Sequence, residues 1–365
     1  MQRRSFLKKA SLGAVAGSAA VAAPVFAQDA PTLNWRMPTS FPRSLEALYG
    51  VGELMCRYIG EATGGKFNIR PFPGGEIVPA LQVLDSVQNG TVECGQTVSY
   101  YYYGKDPTLC FDAAVPFGLN ARQMNAWMFQ GDGMKLTREM FKAYNIVNFP
   151  MGNTGVQMGG WFRNEIKSVE DLKGLKMRTA GFAGEVLSRM GVVPQQLAGG
   201  DVYPALEKGT LDAVEFVGPY DDEKLGFNKV ARNYYYPGWW EGGPQISLYV
   251  NEKSWEALPK SYQAVIETAS RLALVETLSR YDAWNAPALR RLIANGAQLR
   301  AFPREVMDAS WDAANAVYKE FSDRDPKFKA MYDNYMSFRD SSVPWFRAAE
   351  GAYDQYLSAA LSRAR

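Results

Sequence analysis

The chain has 365 residues, 47% hydrophobic and 21% charged, with a formal net charge of +2, a balance that excludes a disordered, collagen-like or coiled-coil protein. It contains no histidine, which removes Ser/His/Asp and Cys/His nucleophile systems, histidine-ligated metals and any imidazole proton shuttle. The three cysteines, Cys56, Cys94 and Cys110, lack C-x-x-C spacing, so zinc ribbons, thioredoxin-type motifs and a disulfide-dense scaffold are excluded, one disulfide is the upper limit, and buried apolar thiols are expected.

The first residues carry Arg3, Arg4, Lys8 and Lys9, then an Ala/Gly-rich run from Ser11 to Ala23 and the small-residue pattern Val25-Phe26-Ala27. That is the layout of an export signal. The string Arg3-Arg4-Ser5-Phe6-Leu7-Lys8 resembles the twin-arginine consensus, and the weakly hydrophobic run behind it suits a pathway that carries folded proteins; a general secretory leader is the alternative. Cleavage near Ala27 removes those four cations and turns the net charge from +2 to −2, leaving no basic stripe for a nucleic acid. A soluble periplasmic protein of two domains is expected.

Beyond the leader, strands and helices alternate. Leu33 to Met37 reads as a strand, Leu45 to Ala62 as an amphipathic helix stopped by Gly64-Gly65, and Phe67 to Phe72 as a strand closed by Pro73-Gly74-Gly75. A helix from Pro79 to Gln88 and a strand from Val92 to Ser99 complete a β-α-β-α-β series, which predicts a mostly parallel sheet. The 20 uncharged residues between Lys142 and Arg163 include Asn145, Asn148, Pro150, Asn153 and four glycines, too polar a stretch to span a bilayer. A second series starts near Gln157: Leu175 to Thr179 as strand, Phe182 to Met190 and Val202 to Lys208 as helices, Asp212 to Phe216 as strand. The chain then returns to the first domain around Gln245 to Val250. Residues 260–286 follow Pro259 without Gly or Pro and predict one helix of about 40 Å, long enough to span both domains. From Pro303 onward the pattern is helical, punctuated by Pro326 and Pro344. The division this suggests is a leader over 1–27, domain I over 28–152 with 245–300, domain II over 153–244, and C-terminal helices over 301–365.

The stretch Ser168-Val169-Glu170-Asp171-Leu172-Lys173-Gly174-Leu175-Lys176-Met177-Arg178, followed about 30 residues on by Val202-Tyr203-Pro204-Ala205-Leu206-Glu207-Lys208-Gly209-Thr210-Leu211-Asp212-Ala213-Val214-Glu215, resembles two ordered signatures of the extracytoplasmic solute receptors of TRAP transporters, the DctP-type family. The segments 152–163, 219–226 and 237–244 are similar to the branch of that family that binds 2-oxoacids such as pyruvate. The resemblance, which covers nearly all of the mature chain, implies an α/β periplasmic binding protein fold of two domains, with a hinge, a long domain-spanning helix and a helical C-terminus that dimerises. It implies a receptor that hands its ligand to a membrane permease and performs no bond chemistry.

Arg178 sits at the end of a predicted strand, where open α/β sheets place ligands and where a guanidinium can grip a carboxylate through two parallel hydrogen bonds. A surface salt bridge is the alternative reading from the residues alone; by resemblance, Arg178 matches the family's carboxylate-binding arginine. Glu215 and Glu241 pose an electrostatic conflict beside an anion, since like charges about 4 Å apart repel by about 4 kcal/mol at an effective dielectric of 20. Related 2-oxoacid receptors hold a metal ion with the substrate, and Gln157, Glu215, Phe216 and Glu241 match positions in or near that site. Phe216, standing where many relatives have Asn, has only its backbone carbonyl to offer. Charge neutrality favours Na⁺ if Glu241 stays out of the ion's coordination shell and Ca²⁺ if both glutamates ligate; two surface glutamates in unrelated loops are the alternative. Tyr100 and Tyr101 open a run of four tyrosines that, as a strand, would alternate between core and cleft. They are candidate hydrogen-bond partners for the substrate, and Trp240 a candidate apolar wall or simple packing. Two rival readings stand: a receptor for lactate or another 2-hydroxyacid, and a periplasmic cofactor oxidoreductase, which the absence of a nucleotide-binding loop argues against.

Overall fold

The computed structural model describes residues 30–363; the leader, its twin-arginine pattern and the cleavage point at Ala27 lie outside them. Lobe I begins with β1 (Leu33–Pro38), α1 (Tyr49–Ala62) and β2 (Phe67–Phe72). β1 and β2 pair in parallel, Leu33 opposite Phe67, as a strand–helix–strand crossover requires. α1 turns Val51, Met55 and Ile59 into the core and ends before Gly64 and Gly65, both at positive φ. It starts four residues later than its apolar pattern suggests, because Leu45 and Leu48, though buried, belong to a turn. α2 (Val83–Gln88) and β3 (Cys94–Thr97) follow, then α3 (Ala121–Gln130), α4 (Gly133–Lys142) and β4 (Ile146–Asn153).

Lobe II comprises β5 (Gly160–Phe162), β6 (Lys176–Arg178), α5 (Gly181–Arg189), β7 (Val193–Gln195), α6 (Gly199–Glu207), β8 (Ala213–Val214), α7 (Pro219–Leu225) and β9 (Asn233–Tyr236). β10 (Gln245–Asn251) returns to lobe I and lies between β3 and β4, antiparallel to both. A parallel bridge from Thr39 to Gln96 joins this sheet to the β1–β2 pair. The mostly parallel sheet expected from strand–helix alternation is therefore mixed, because its central strand arrives from far along the chain. β4 had no strand signal: its Pro150 and polar Asn148 and Asn153 disguise a strand buried along nearly its whole length.

In lobe II the order is β11-β9-β5-β8-β6-β7, β11 being Gln298–Ala301. β6 is parallel to β7 and β8, while β5 runs antiparallel to β8 and β9. Because β11 pairs with β9, the segment 298–300 goes with the second sheet and not with domain I; with that change the two-domain division remains our proposal.

After α8 (Glu252–Glu256), α9 (Lys260–Ala294) runs for 35 residues, about 50 Å. Pro287 does not end it as expected; it lies inside the helix. Ala288 and Leu292 are buried beyond it, so packing outweighs the lost backbone hydrogen bond. The first half packs on α1 and β4 and the second on α7, so that one element serves both lobes. α10 (Arg304–Arg324) packs on α5 and α11 (Pro326–Phe346) on the 107–112 turn of lobe I. Pro344 lies within α11, and a π-turn over 347–351 leads into α12 (Ala352–Arg363), which buries no residue. No helix among the described residues is long and apolar enough to cross a membrane.

Candidate functional site

β6 ends at Arg178, deep in lobe II between β7 and β8. The guanidinium is not a surface group: its side chain is 3% exposed and that of Glu215, at the end of β8, is 1% exposed. Nη1 donates to the Glu215 backbone oxygen and to Glu215 Oε1, each at 2.6 Å, and Nε donates to the Leu197 carbonyl at 3.3 Å. The cation lies 5.2 Å from the Phe216 ring centre. Nη1 and Nε are held by lobe II, which leaves Nη2 to the side of Tyr101.

Three further segments bring oxygen atoms to the same place. Gln157 N–H donates to the Glu241 carbonyl at 3.1 Å, and the next residue, Met158, donates to Val217 at 3.0 Å, which ties the 157 and 241 loops to the end of β8. The Gln157 side chain donates to Thr154 Oγ1 at 3.2 Å, but its Oε1 is buried without a partner, and so is Glu215 Oε2. Tyr100 Oη donates to Glu241 Oε2 at 3.4 Å. Burial pushes the Glu215 carboxyl up to about 7, even though the Arg178 charge pulls it down. Glu241 is driven well above the usual carboxylate range by burial first and by the Glu215 charge second. One guanidinium balances only one of the two carboxyls once both are ionised, and the unpaired atoms are hard oxygen donors. That donor set fits Na⁺ or Ca²⁺ and no soft metal, although no cluster of three or more His, Cys, Asp or Glu capable of holding a metal occurs among the described residues.

The tyrosine run does not alternate as a strand; Ser99–Tyr102 is one turn of 3₁₀ helix, so successive rings fan around an axis. Tyr100 and Tyr101 meet edge to face at 5.3 Å, and burial raises the Tyr101 phenol to about 12 while Arg178 opposes that rise by its charge and a side-chain hydrogen bond. Tyr102 turns instead into the lobe I core, its Oη accepting from Leu84 N–H at 3.0 Å. Trp240 is buried against Trp239 and Phe302, with its indole N–H unpartnered.

Some participants gave little sign in the sequence. Tyr100 and Tyr101 belong to lobe I, Arg178 and Glu215 to lobe II, so the site exists only where the lobes touch. Gln196 Nε2 donates to the Tyr101 carbonyl at 2.8 Å. Glu46 of lobe I accepts from Tyr220 Oη and, at 3.2 Å, from Lys224, both on α7. Gly181, at φ +60, faces Tyr100 so closely that a Cβ there would lie 2.8 Å from the Tyr100 Cβ. Thr179 Oγ1, next to Arg178, is buried and unpartnered. Only the adjacency of Thr179 and Gly181 to Arg178 could have flagged them; the lobe contacts need three dimensions. Cys56, Cys94 and Cys110 are buried and free, and the Cys110 sulfur would lie 3.6 Å from a Cβ at Gly181.

The description "bacterial extracellular solute-binding protein, family 7" (DctP) matches residues 42–325. The chain belongs to this family. A monocarboxylate 2-oxoacid-binding periplasmic protein of Nostoc sp. is 50% identical over 328 residues, 90% of each chain. A TRAP transporter solute binding protein of Bordetella bronchiseptica is 55% identical, with a TM-score of 0.91 over 92% of this chain and 100% of that one; its crystal structure is a mixed occupancy dimer, with copurified calcium and picolinate in one active site and the other apo. A TRAP periplasmic solute binding protein of Pseudoalteromonas atlantica, 36% identical with a TM-score of 0.86 over 89% of this chain and 99% of that one, has bound sodium and pyruvate. This family 7 member is thus a periplasmic TRAP solute receptor with an α/β two-domain fold, and its family is one of receptors.

Proposed function

We propose that the receptor captures a small 2-oxoacid, of which pyruvate is the model, between its lobes, with Arg178 gripping the carboxylate and a cation bridging the acid to the protein. The observation that carries this reading is the enclosed Arg178–Glu215 pair beside the unpaired oxygens of Gln157 and Glu215. Gln157, Glu215, the Phe216 carbonyl and Glu241 would hold the cation, and Nη2 of Arg178, with the Tyr100 and Tyr101 hydroxyls, would face the acid. When bound, the cation supplies a positive charge shared between the carboxylate and keto oxygens. Pyruvate and picolinate have in common a carboxylate with a second donor on the neighbouring carbon, the pair that chelates a hard ion. Charge balance calls for Na⁺ while Glu241 keeps its proton and for Ca²⁺ once both glutamates are ionised.

Pyruvate has six non-hydrogen atoms, so a ceiling near 1.5 kcal/mol per atom limits its binding to about 9 kcal/mol, roughly sub-micromolar affinity. Few contacts are dispensable under that limit. Arg178→Lys replaces a planar fork with a point charge, and calorimetry should show pyruvate affinity reduced roughly 10- to 100-fold; unchanged affinity removes Arg178 from the site. Stripping Na⁺ and Ca²⁺ should weaken binding by a similar factor, and full affinity in metal-free buffer rejects the bridge. Lactate, which has a hydroxyl for the keto oxygen, belongs in the same titration. Delivery to a TRAP membrane permease, dimerisation through the C-terminal helices and export by the twin-arginine route complete the proposal.

A further inference from the structure

A cleft of about 380 Å³ lies on lobe I between α4, β4 and α9, lined among others by Phe129, Arg138, Phe149, Glu267 and Arg271; it shares no residue with the Arg178 site. Its floor is aromatic, and three cations, Lys135, Arg138 and Arg271, share the lining with the single carboxylate of Glu267. The Arg138 guanidinium lies 4.3 Å from the Phe149 ring centre and that of Arg271 lies 4.8 Å from that of Phe129. Arg138 Nε is buried with no hydrogen-bond partner, and among the described residues neither Arg138, Arg271 nor Lys135, also on the rim, forms an ion pair or donates to a protein acceptor. Burial lowers the Arg138 pKa to about 10, against the opposing charges of Glu267 and Asp112. Asp112 lies behind the cleft and is engaged by Asn148 and Ser247, each at 2.8 Å. Only Nε is withdrawn from water; Arg138 as a whole is half-buried, and an anion in the cleft would give its guanidinium the acceptor that the protein does not supply.

We infer that this cleft is a second ligand site, taking a monoanionic carboxylate carried on a flat apolar body. The Arg138 fork meets the carboxylate, Lys135 and Arg271 add positive potential, and Phe129 and Phe149 receive the apolar part. Glu267 at the rim disfavours a dianion. The size lies within the range of small-molecule sites.

Benzoate is the probe, titrated by protein-observed NMR into receptor saturated with pyruvate and calcium and, in parallel, into Arg178→Met, so that neither arm reports the central site and the test survives failure of the 2-oxoacid reading. Saturable binding at millimolar benzoate is expected in both. Arg138→Met should weaken it roughly tenfold or more, the loss of a charge-assisted contact, and Arg271→Ala roughly two- to fivefold, the loss of a screened charge at the rim, with pyruvate affinity unchanged. Acetate, lacking the ring, and benzyl alcohol, lacking the charge, should bind at least about tenfold more weakly than benzoate. Absence of saturable benzoate binding overturns the inference, as does undiminished binding to the arginine variants. Arg271 is exposed, so its variant keeps the test decisive if Arg138→Met fails to fold.

Discussion

At the residue scale, the molecule buries carboxyl groups and supplies most of their oxygens with a local donor. Asp222 receives Tyr234 Oη at 2.7 Å and Trp161 Nε1 at 3.0 Å, and Asp221 receives Tyr281 Oη at 2.5 Å, while Asp221 Oδ1 has no partner. Tyr281→Phe removes the one side-chain donor that Asp221 has and should cost about 1–3 kcal/mol of folding free energy, measured by urea unfolding; a change within experimental error would mean that the carboxyl is served otherwise. Arg178, Glu215, Glu241 and Gln157 could be singled out in the sequence because a strand end, the family signatures and charge counting all pointed to them. Their burial could not. Nothing in the residue string says that Arg178 and Glu215 meet at 2.6 Å, or that Trp240 lies against Phe302, since both follow from segments far apart in the chain.

At the scale of elements, Gly181 opens α5 directly beneath Tyr100. Gly181→Ala introduces a methyl into a contact between lobes and a side chain at positive φ. The expected outcome is pyruvate binding weakened roughly tenfold or more by calorimetry, with far-UV circular dichroism unchanged; wild-type affinity would show that the lobes close without that approach. α12 carries Tyr353, Tyr356 and Leu361 exposed, with Trp345 at the end of α11, an apolar run that suits a partner helix. Removing residues 347–365 should convert a dimer to a monomer in sedimentation, and an unaltered assembly would place the interface elsewhere. Most helices and strands with a strong apolar period were legible to within a few residues. The failures have physical causes: β10 enters between strands that precede it, Pro287 is overruled by packing on lobe II, and the tyrosines wind into a 3₁₀ turn instead of extending.

On the scale of the whole molecule, burial sets the response to pH. Asp112 and Asp221 are each raised to about 7 by burial, far above an unfolded aspartate. The folded state therefore holds protons that the unfolded chain has released, so stability is greatest below the unfolded pKa and declines as pH rises from about 4 to about 7. Urea midpoints of the ligand-free protein should fall between pH 5 and pH 8; a rising midpoint contradicts the raised acidities. The nearly complete enclosure of Arg178 and Glu215 has a kinetic consequence as well. On the proposed reading an acid held there has no way out through a closed shell, so its escape would wait for the halves to part, and the frequency of that parting would cap the release rate of every cargo, strong or weak. A membrane partner that pries the halves open would then discharge any acid the receptor carries, and transport selectivity would be decided at loading.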